Sequence, residues 1–399
     1  MDKQTANDGG APLRALEFLG VAAKRVERPA NESEAKQVLA RAFKEKLTVL
    51  PIGGATTPSV GTLPERVDIL LDTTGMAGVV DFDMSNLNMV VRAGTTIDSV
   101  NEYLGGQGKG FFLPLDPPFS GRATMGGVYA ANGSGPCRLR YGTVRDQAMG
   151  VRGIDARGEE VGFGGKTVKN VSGYDMTKFL VGSAGSLGLI TAAIMRVYPL
   201  PEASSVCEVS FPRLEELEKF LQALRSSVFI PSGVTVEPAK GGFKVLAAFE
   251  GHPRAVERQN KDFLAMADGF GGRGGAKVGR EAMRQALRAA IEPGGEAMAI
   301  KVTVPISEGP RALAGLAAVA GAAKTVLYAG NGVVLVYGAN EGIIEKAKVL
   351  AANGFVTPVR LDRALLAKWG PRVNDTIERL VLRPVKEQLD PTGVFPPIV

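Results

Sequence analysis

Glycine comes in ordered clusters in the first half of this chain, and the first of them begins where an apolar run stops. Leu47 to Ile52 is a short apolar stretch that runs straight into Gly53-Gly54-Ala55-Thr56-Thr57. Ala123 to Gly135 reads ATMGGVYAANGSG. Gly164 to Asp175 reads GGKTVKNVSGYD and leads on to GSAGSLGLIT, from Gly182 to Thr191. Glycine lets the backbone turn tightly and come close to a bound group. Several N–H groups can then converge on phosphate oxygens, helped at the first cluster by the threonine hydroxyls. This cluster is not a Rossmann fingerprint, because the third glycine and the following helix are absent. It is not a P-loop, because no Gly-Lys-Thr follows. By itself it reads as an ordinary strand-to-turn step. Three such loops in this order and spacing form a far rarer pattern.

Helix and strand patterns alternate along the whole chain, which places it in the α/β or α+β class. Asn31 to Lys46 reads as an amphipathic helix, with Asn31 and Glu34 spaced as a capping pair. Ile69 to Asp72 and Met89 to Ala93 read as strands. Thr96 starts a helix that ends near Gly105, and Leu187 to Val197 is β-rich. Pro199-Leu200-Pro201 punctuates the chain like a domain boundary. Beyond it the order strand, helix, two strands, helix occurs twice, with a Gly-rich spacer and one more helix between. This predicts two βαββα units from about Ser205 to Arg360, in one antiparallel sheet with helices on one face. Asn374 to Gln388 reads as a helix, followed by DPTGVFPPIV, which cannot continue it.

Composition excludes several classes. The net charge of +6 is mild for 399 residues, and the basic stretch Arg254 to Arg288 is interrupted by Glu257, Asp262, Asp268 and Glu281. That is a solvated face, so no nucleic-acid partner is expected. Weak attraction to anionic lipid or to an acidic partner stays open. No run approaches the roughly 18 unbroken apolar residues of a spanning helix, and MDKQTANDGG does not read as a secretory signal. Two cysteines, Cys137 and Cys207, cannot supply the about four ligands that a zinc or iron–sulfur centre needs, so no metal site is expected. A disulfide is not excluded, but free cytosolic thiols are the simpler reading.

The glycine segments, above all KTVKNVSGYDMTKFLVGSAGSLGLIT and SGPCRLRYGTVRDQ, resemble the FAD-binding domain of the vanillyl-alcohol oxidase and p-cresol methylhydroxylase superfamily. Within it they look most like the FAD-binding, E-type subunits of glycolate oxidase and D-lactate dehydrogenase complexes. The resemblance covers about residues 30–200, with DPTGVFPP as a second short match. It implies an α+β fold, with a two-lobed FAD-binding domain over 16–200 and a smaller antiparallel cap over 201–360. Residues 1–15 would be a flexible start, and 361–399 would return to the FAD domain. It also implies that Ile52, Gly53, Gly54, Ala55, Thr56 and Thr57 wrap the FAD pyrophosphate. Asp116, Pro117 and Ser120 match a turn beside the flavin. Thr124, Gly126, Gly127, Asn132 and Gly135 match the loop along the ribityl chain and ring, and Ile190 matches a position on the adenine side. Lys169, Tyr174 and Asp175 match a supporting segment.

Two departures shape the functional expectation. Some superfamily members attach flavin through a histidine in the first loop. Ala55 stands there, so FAD is expected to be non-covalent. Cys137, near a second attachment position, is expected to be a small buried residue. The catalytic subunits of the group carry histidine motifs that hold a metal and act on the substrate hydroxyl. This chain has one histidine, His252, in a Gly-His-Pro turn. The resemblance therefore implies a subunit that relays electrons or supports assembly, beside a catalytic FAD subunit and an iron–sulfur subunit. It would be cytoplasmic, with membrane contact only through partners. A self-sufficient oxidoreductase with a non-histidine base and a non-redox assembly subunit are the alternatives.

Overall fold

The computed structural model describes residues 10–61, 64, 66–166, 175–293, 295, 297–319, 323–369 and 376–397. The fold is α+β. It divides into two compact units: Met1–Ser134, Thr143–Pro199 and Asp362–Val399 form the first, and Gly135–Gly142 with Leu200–Leu361 form the second. Among the described residues no helix is long and apolar enough to cross a membrane.

The first unit has two lobes. In one, β1 (Ala23–Glu27), β2 (Val49–Ile52) and β3 (Val67–Asp72) form a parallel sheet in the order β1-β3-β2. The connection from β1 to β2 is the helix Glu32–Glu45. The Asn31 side chain accepts from the Glu34 amide at 3.0 Å and donates to its carboxylate, while Glu34 accepts from the Ala30 amide. Its buried residues Ala35, Val38, Leu39 and Ala42 keep the spacing of one helix face. They pack on Val49, Ile69 and Leu71. Every residue of β3 is buried, as expected for a parallel strand covered on both sides. Asp68 is 1% exposed and ties the start of β2 to β3. Its carboxylate accepts from the Thr48 amide and hydroxyl and pairs with Lys24 and Arg66. Burial opposes its charge, but these partners together hold the carboxyl well below the usual carboxylate range.

The other lobe is antiparallel. β4 (Val79–Asp83), β5 (Asn88–Arg92), β6 (Phe111–Phe112), β7 (Ala148–Ile154), β8 (Glu160–Gly164), β9 (Leu189–Arg196) and β10 (Tyr198–Pro199) follow. Five of them form the sheet β4-β5-β9-β7-β8, and β6 pairs with β10. The helices Ile97–Gly105 and Met125–Ala131 fill one core cluster with this sheet, including Val91, Ala193 and Met195. Tyr129 is fully buried there and donates to the Thr177 carbonyl at 2.8 Å.

The second unit contains β11 (Ala203–Phe211), β12 (Gly233–Ala239), β13 (Gly242–Gly251), β14 (Arg273–Val278), β15 (Ala299–Thr303), β16 (Lys324–Tyr328), β17 (Val333–Tyr337) and β18 (Phe355–Arg360). Among the described residues they make one antiparallel sheet in the order β14-β11-β13-β12-β16-β17-β15-β18. Each half is a split βαββαβ module, one strand longer than the pattern in the sequence indicated. The missing strands are the outermost ones. β14 is RGGAKV, the stretch read as a spacer, and β18 carries Pro358. Gly274 is required in β14, because an added Cβ would clash with the Glu208 carbonyl.

Helices lie on both faces of this sheet, not on one. Ser205 and Cys207 meet Asn260 of the helix Pro253–Gly269, and Phe249 packs on Phe263 of the same helix. The alternate residues Val206, Leu246 and Ala248 instead meet Met283, Leu287 and Ile291 of the helix Arg280–Ile291. The strands are apolar on both faces, so both need cover. Cys137 is half-buried, and neither cysteine forms a disulfide.

Candidate cofactor cleft

The first glycine cluster leaves β2 and packs directly against the chain before the helix Met125–Ala131. A Cβ on Gly54 would clash with the Arg122 carbonyl, and one on Gly53 with the Thr124 hydroxyl. Ala55 is held at φ 53°, the left-handed region. Thr73 donates to the Ile52 carbonyl at 3.1 Å and fixes the end of the strand. Opposite, the Thr124 side chain caps its helix at the Gly127 amide. Gly126 is pressed against Ala93, where an added Cβ would come within 2.7 Å of the alanine methyl. The segment 182–188 closes the third side. The Gly182 amide donates to the Tyr129 carbonyl and the Ala184 amide to the Ala130 carbonyl, at 3.2 and 2.8 Å.

These three segments enclose a cleft of about 980 Å³, open solvent at its mouth included. The cleft gathers Ile52 to Thr57, Thr124, Gly126, Gly127 and Ile190 from the sequence reading. Its lining is glycine, alanine, threonine, proline and aliphatic residues, with no charged side chain among the described residues. An anionic group here would be held by backbone N–H groups and hydroxyls.

Not every expected residue is there. Asp116, Pro117, Ser120, Asn132 and Gly135 do not line the cleft. Pro117 and Ser120 are buried in the approach to Thr124, where the Ser120 carbonyl accepts from the Asp98 amide. Gly135 groups with the second unit, since the next residue, Pro136, packs against Gly233 of β12. Lys169 and Tyr174 lie outside the described residues. Asp175 caps the short helix Met176–Phe179. Conversely, Thr73, Ala184, Gly185 and Gly188 line the cleft without having been singled out, and so do Leu19 and Pro396 from far along the chain. The signal for Ala184 to Gly188 was present in GSAGSLGLIT. Nothing in sequence marks Leu19.

A dinucleotide fits these features. Gly127 is exposed toward the cleft, and an added Cβ there would meet only the Thr124 hydroxyl, at 3.2 Å. Asn132 Oδ1 and Ser183 Oγ, at the end of the same helix and in the adjoining loop, are buried without a hydrogen-bond partner. Neither residue lines the cleft, so the fit rests on the glycine walls and the hydroxyls of Thr56, Thr57 and Thr124.

Residues 23–164 match the family model described as FAD binding domain. The chain is 30% identical over 205 residues to the glycolate oxidase subunit GlcD of Bacillus subtilis, covering 51% of this chain and 43% of that protein. It is 34% identical over 208 residues to the D-lactate dehydrogenase of Archaeoglobus fulgidus, covering 52% and 44%. It is 40% identical over 135 residues to the glycolate oxidase subunit GlcE of Escherichia coli, covering 34% and 38%. The chain thus spans less than half the length of each of these relatives. The fold is similar to that of a xylooligosaccharide oxidase from Myceliophthora thermophila, with a TM-score of 0.70 at 13% identity, over 95% of this chain and 93% of that one. The first unit therefore carries an FAD-binding domain of the p-cresol methylhydroxylase and vanillyl-alcohol oxidase flavoprotein superfamily, the domain type of FAD-dependent oxidoreductases.

Proposed function

We propose that this chain is an FAD-carrying subunit of a multi-subunit dehydrogenase of glycolate or D-lactate. A sibling flavoprotein oxidises the 2-hydroxy acid, an iron–sulfur sibling takes the electrons onward, and this chain relays electrons or supports assembly. The observation that carries the reading is an FAD-binding domain in a chain whose one histidine, His252, is an exposed residue at the start of the helix Pro253–Gly269. Removing a hydroxyl proton near neutral pH is most often the work of histidine. The names of GlcD and GlcE, both glycolate oxidase subunits, support a multi-subunit setting.

Ile52 to Thr57, Thr124, Gly127 and Ile190 would hold the cofactor. Bound FAD supplies reversible one- and two-electron redox chemistry. The protein's own part is to cradle the pyrophosphate with backbone N–H groups and the Thr56 and Thr57 hydroxyls, while the aliphatic lining keeps water away. Ala55 offers no atom for a covalent link to flavin, so the cofactor is exchangeable.

One feature of the second unit favours a self-sufficient oxidoreductase as the second reading. Glu250 is 5% exposed, and the Tyr141 hydroxyl donates to its Oε2 at 3.2 Å. Burial pushes the Tyr141 phenol up, so it stays a donor, and the buried carboxylate is the candidate base that such an enzyme would need. Co-purification of the native assembly, with flavin and iron counted per subunit, tests the complex. Recovery of this chain alone, with flavin and full 2-hydroxy acid dehydrogenase activity, would instead establish the second reading.

A further inference from the structure

The helix Thr376–Leu389 ends in a buried ion pair between Lys386 and Asp390. The Lys386 ammonium donates to Asp390 Oδ2 at 2.5 Å, to the Ser186 carbonyl at 2.6 Å and to the Phe395 carbonyl at 3.3 Å. Its three N–H groups are thus all used. The Asp390 side chain is fully buried and accepts from the Val394 and Phe395 amides, both at 2.8 Å. Val394 in turn accepts from the Val49 amide at 2.6 Å, so the tail adds to the start of β2.

Both carbonyls held by Lys386 adjoin the cleft. Ser186 sits between Gly185 and Gly188, and Phe395 precedes Pro396; all three of these neighbours line the cleft. Ser186 is itself pinned, its hydroxyl donating to the Ser183 carbonyl at 2.6 Å. One ammonium therefore ties the loop 182–188 to the last turn of the tail. An apolar anchor would be the cheaper way to fasten a chain end, because burying a charge pair carries a large desolvation cost. What the ammonium adds is direction: it fixes two carbonyls from separate segments at one point.

We propose that Lys386, paired with Asp390, is a positioning residue for the FAD cleft. It sets the spacing between the loop 182–188 and Pro396, and with it the fit of the dinucleotide. The proposal rests on the reading of this cleft as the FAD site.

The test uses the full chain. Lys386→Met together with Asp390→Asn removes the buried charge pair and keeps a side-chain oxygen to accept from the 394–395 backbone amides, but leaves the two carbonyls without their common donor. The double variant is expected to melt close to the wild type without cofactor, while its Kd for FAD, read by flavin fluorescence, rises about tenfold or more. Equal FAD affinity in a double variant that melts like the wild type would overturn the proposal. A second measurement needs no variant: adding FAD to the wild type should slow amide hydrogen exchange in the peptide 390–396 and leave that of β14 unchanged. Unchanged exchange in 390–396 on saturation with FAD would also overturn it. Failure of the wild type to bind FAD at all would instead remove the reading of the cleft.

Discussion

Alanine at position 127 should stabilise the empty protein and weaken its hold on FAD. Gly127 is the third residue of the helix Met125–Ala131 and faces the cleft. Its backbone is not left-handed, so alanine is not strained there. An added methyl meets only Thr124 Oγ1, at 3.2 Å, and fits after a shift of a few tenths of an ångström. Replacing glycine by alanine inside a helix is worth about 0.5–1 kcal/mol, or roughly 1–4 °C of melting temperature for a unit of this size. The same methyl occupies space that a dinucleotide would use. Moving the ligand away would cost about one charge-assisted hydrogen bond, roughly 1.5–3 kcal/mol. At about 1.4 kcal/mol per decade, Kd rises about 10- to 100-fold. Gly54→Ala is the contrast: its Cβ strikes the Arg122 carbonyl, so stability and affinity should fall together. Thermal melts without cofactor and FAD titrations by fluorescence quenching read both effects. A Gly127→Ala protein that melts no lower than the wild type and binds FAD equally well would refute this wall of the cleft as cofactor contact.

Acid precipitation of the FAD-loaded chain should leave the yellow colour in the supernatant, since Ala55 provides no attachment atom; colour on the pellet would show a covalent bond elsewhere. Asp68→Asn should lower the melting temperature at neutral pH, because Asn cannot carry the charge that Lys24 and Arg66 face. The folded carboxyl titrates below its unfolded value, so its contribution is present above about pH 4 and is lost as pH falls further. The gap between wild type and Asp68→Asn should therefore narrow on acidification, and a gap that widens would contradict the assignment.

Local chemistry was readable where one side chain decides the structure. Asn31 and Glu34 cap their helix through the bonds that their spacing indicated. Gly53 and Gly54 mark a close approach of backbone to backbone, although the neighbour that enforces it, 122–124, is about seventy residues away and invisible in sequence. The strands β14 and β18 were not legible. One has glycine where β-formers are usual and is exposed throughout, and the other carries a proline. Their existence depends on neighbours β11 and β15 that offer an open edge. The helix Arg280–Ile291 covers the opposite face of the sheet because alternate residues of β11 and β13 are apolar too, a burial that a linear pattern does not reveal. The site was legible for residues on the loops that carry glycine. Leu19 and Pro396 reach the cleft through tertiary folding alone.

The central claim is that this chain carries FAD without oxidising the hydroxy acid by itself. General base catalysis is worth about 10²–10⁴-fold, so a chain without a base for the substrate hydroxyl should bleach its flavin only slowly. The direct measurement is anaerobic stopped-flow mixing of the FAD-loaded chain with D-lactate and, separately, glycolate, following the visible flavin band before and after the catalytic and iron–sulfur siblings are added. The account predicts negligible bleaching of the chain alone, and flavin reduction or restored turnover only in the assembled complex. Rapid, saturable bleaching of the isolated chain, abolished by Glu250→Gln, would contradict it and show that the second unit supplies its own base.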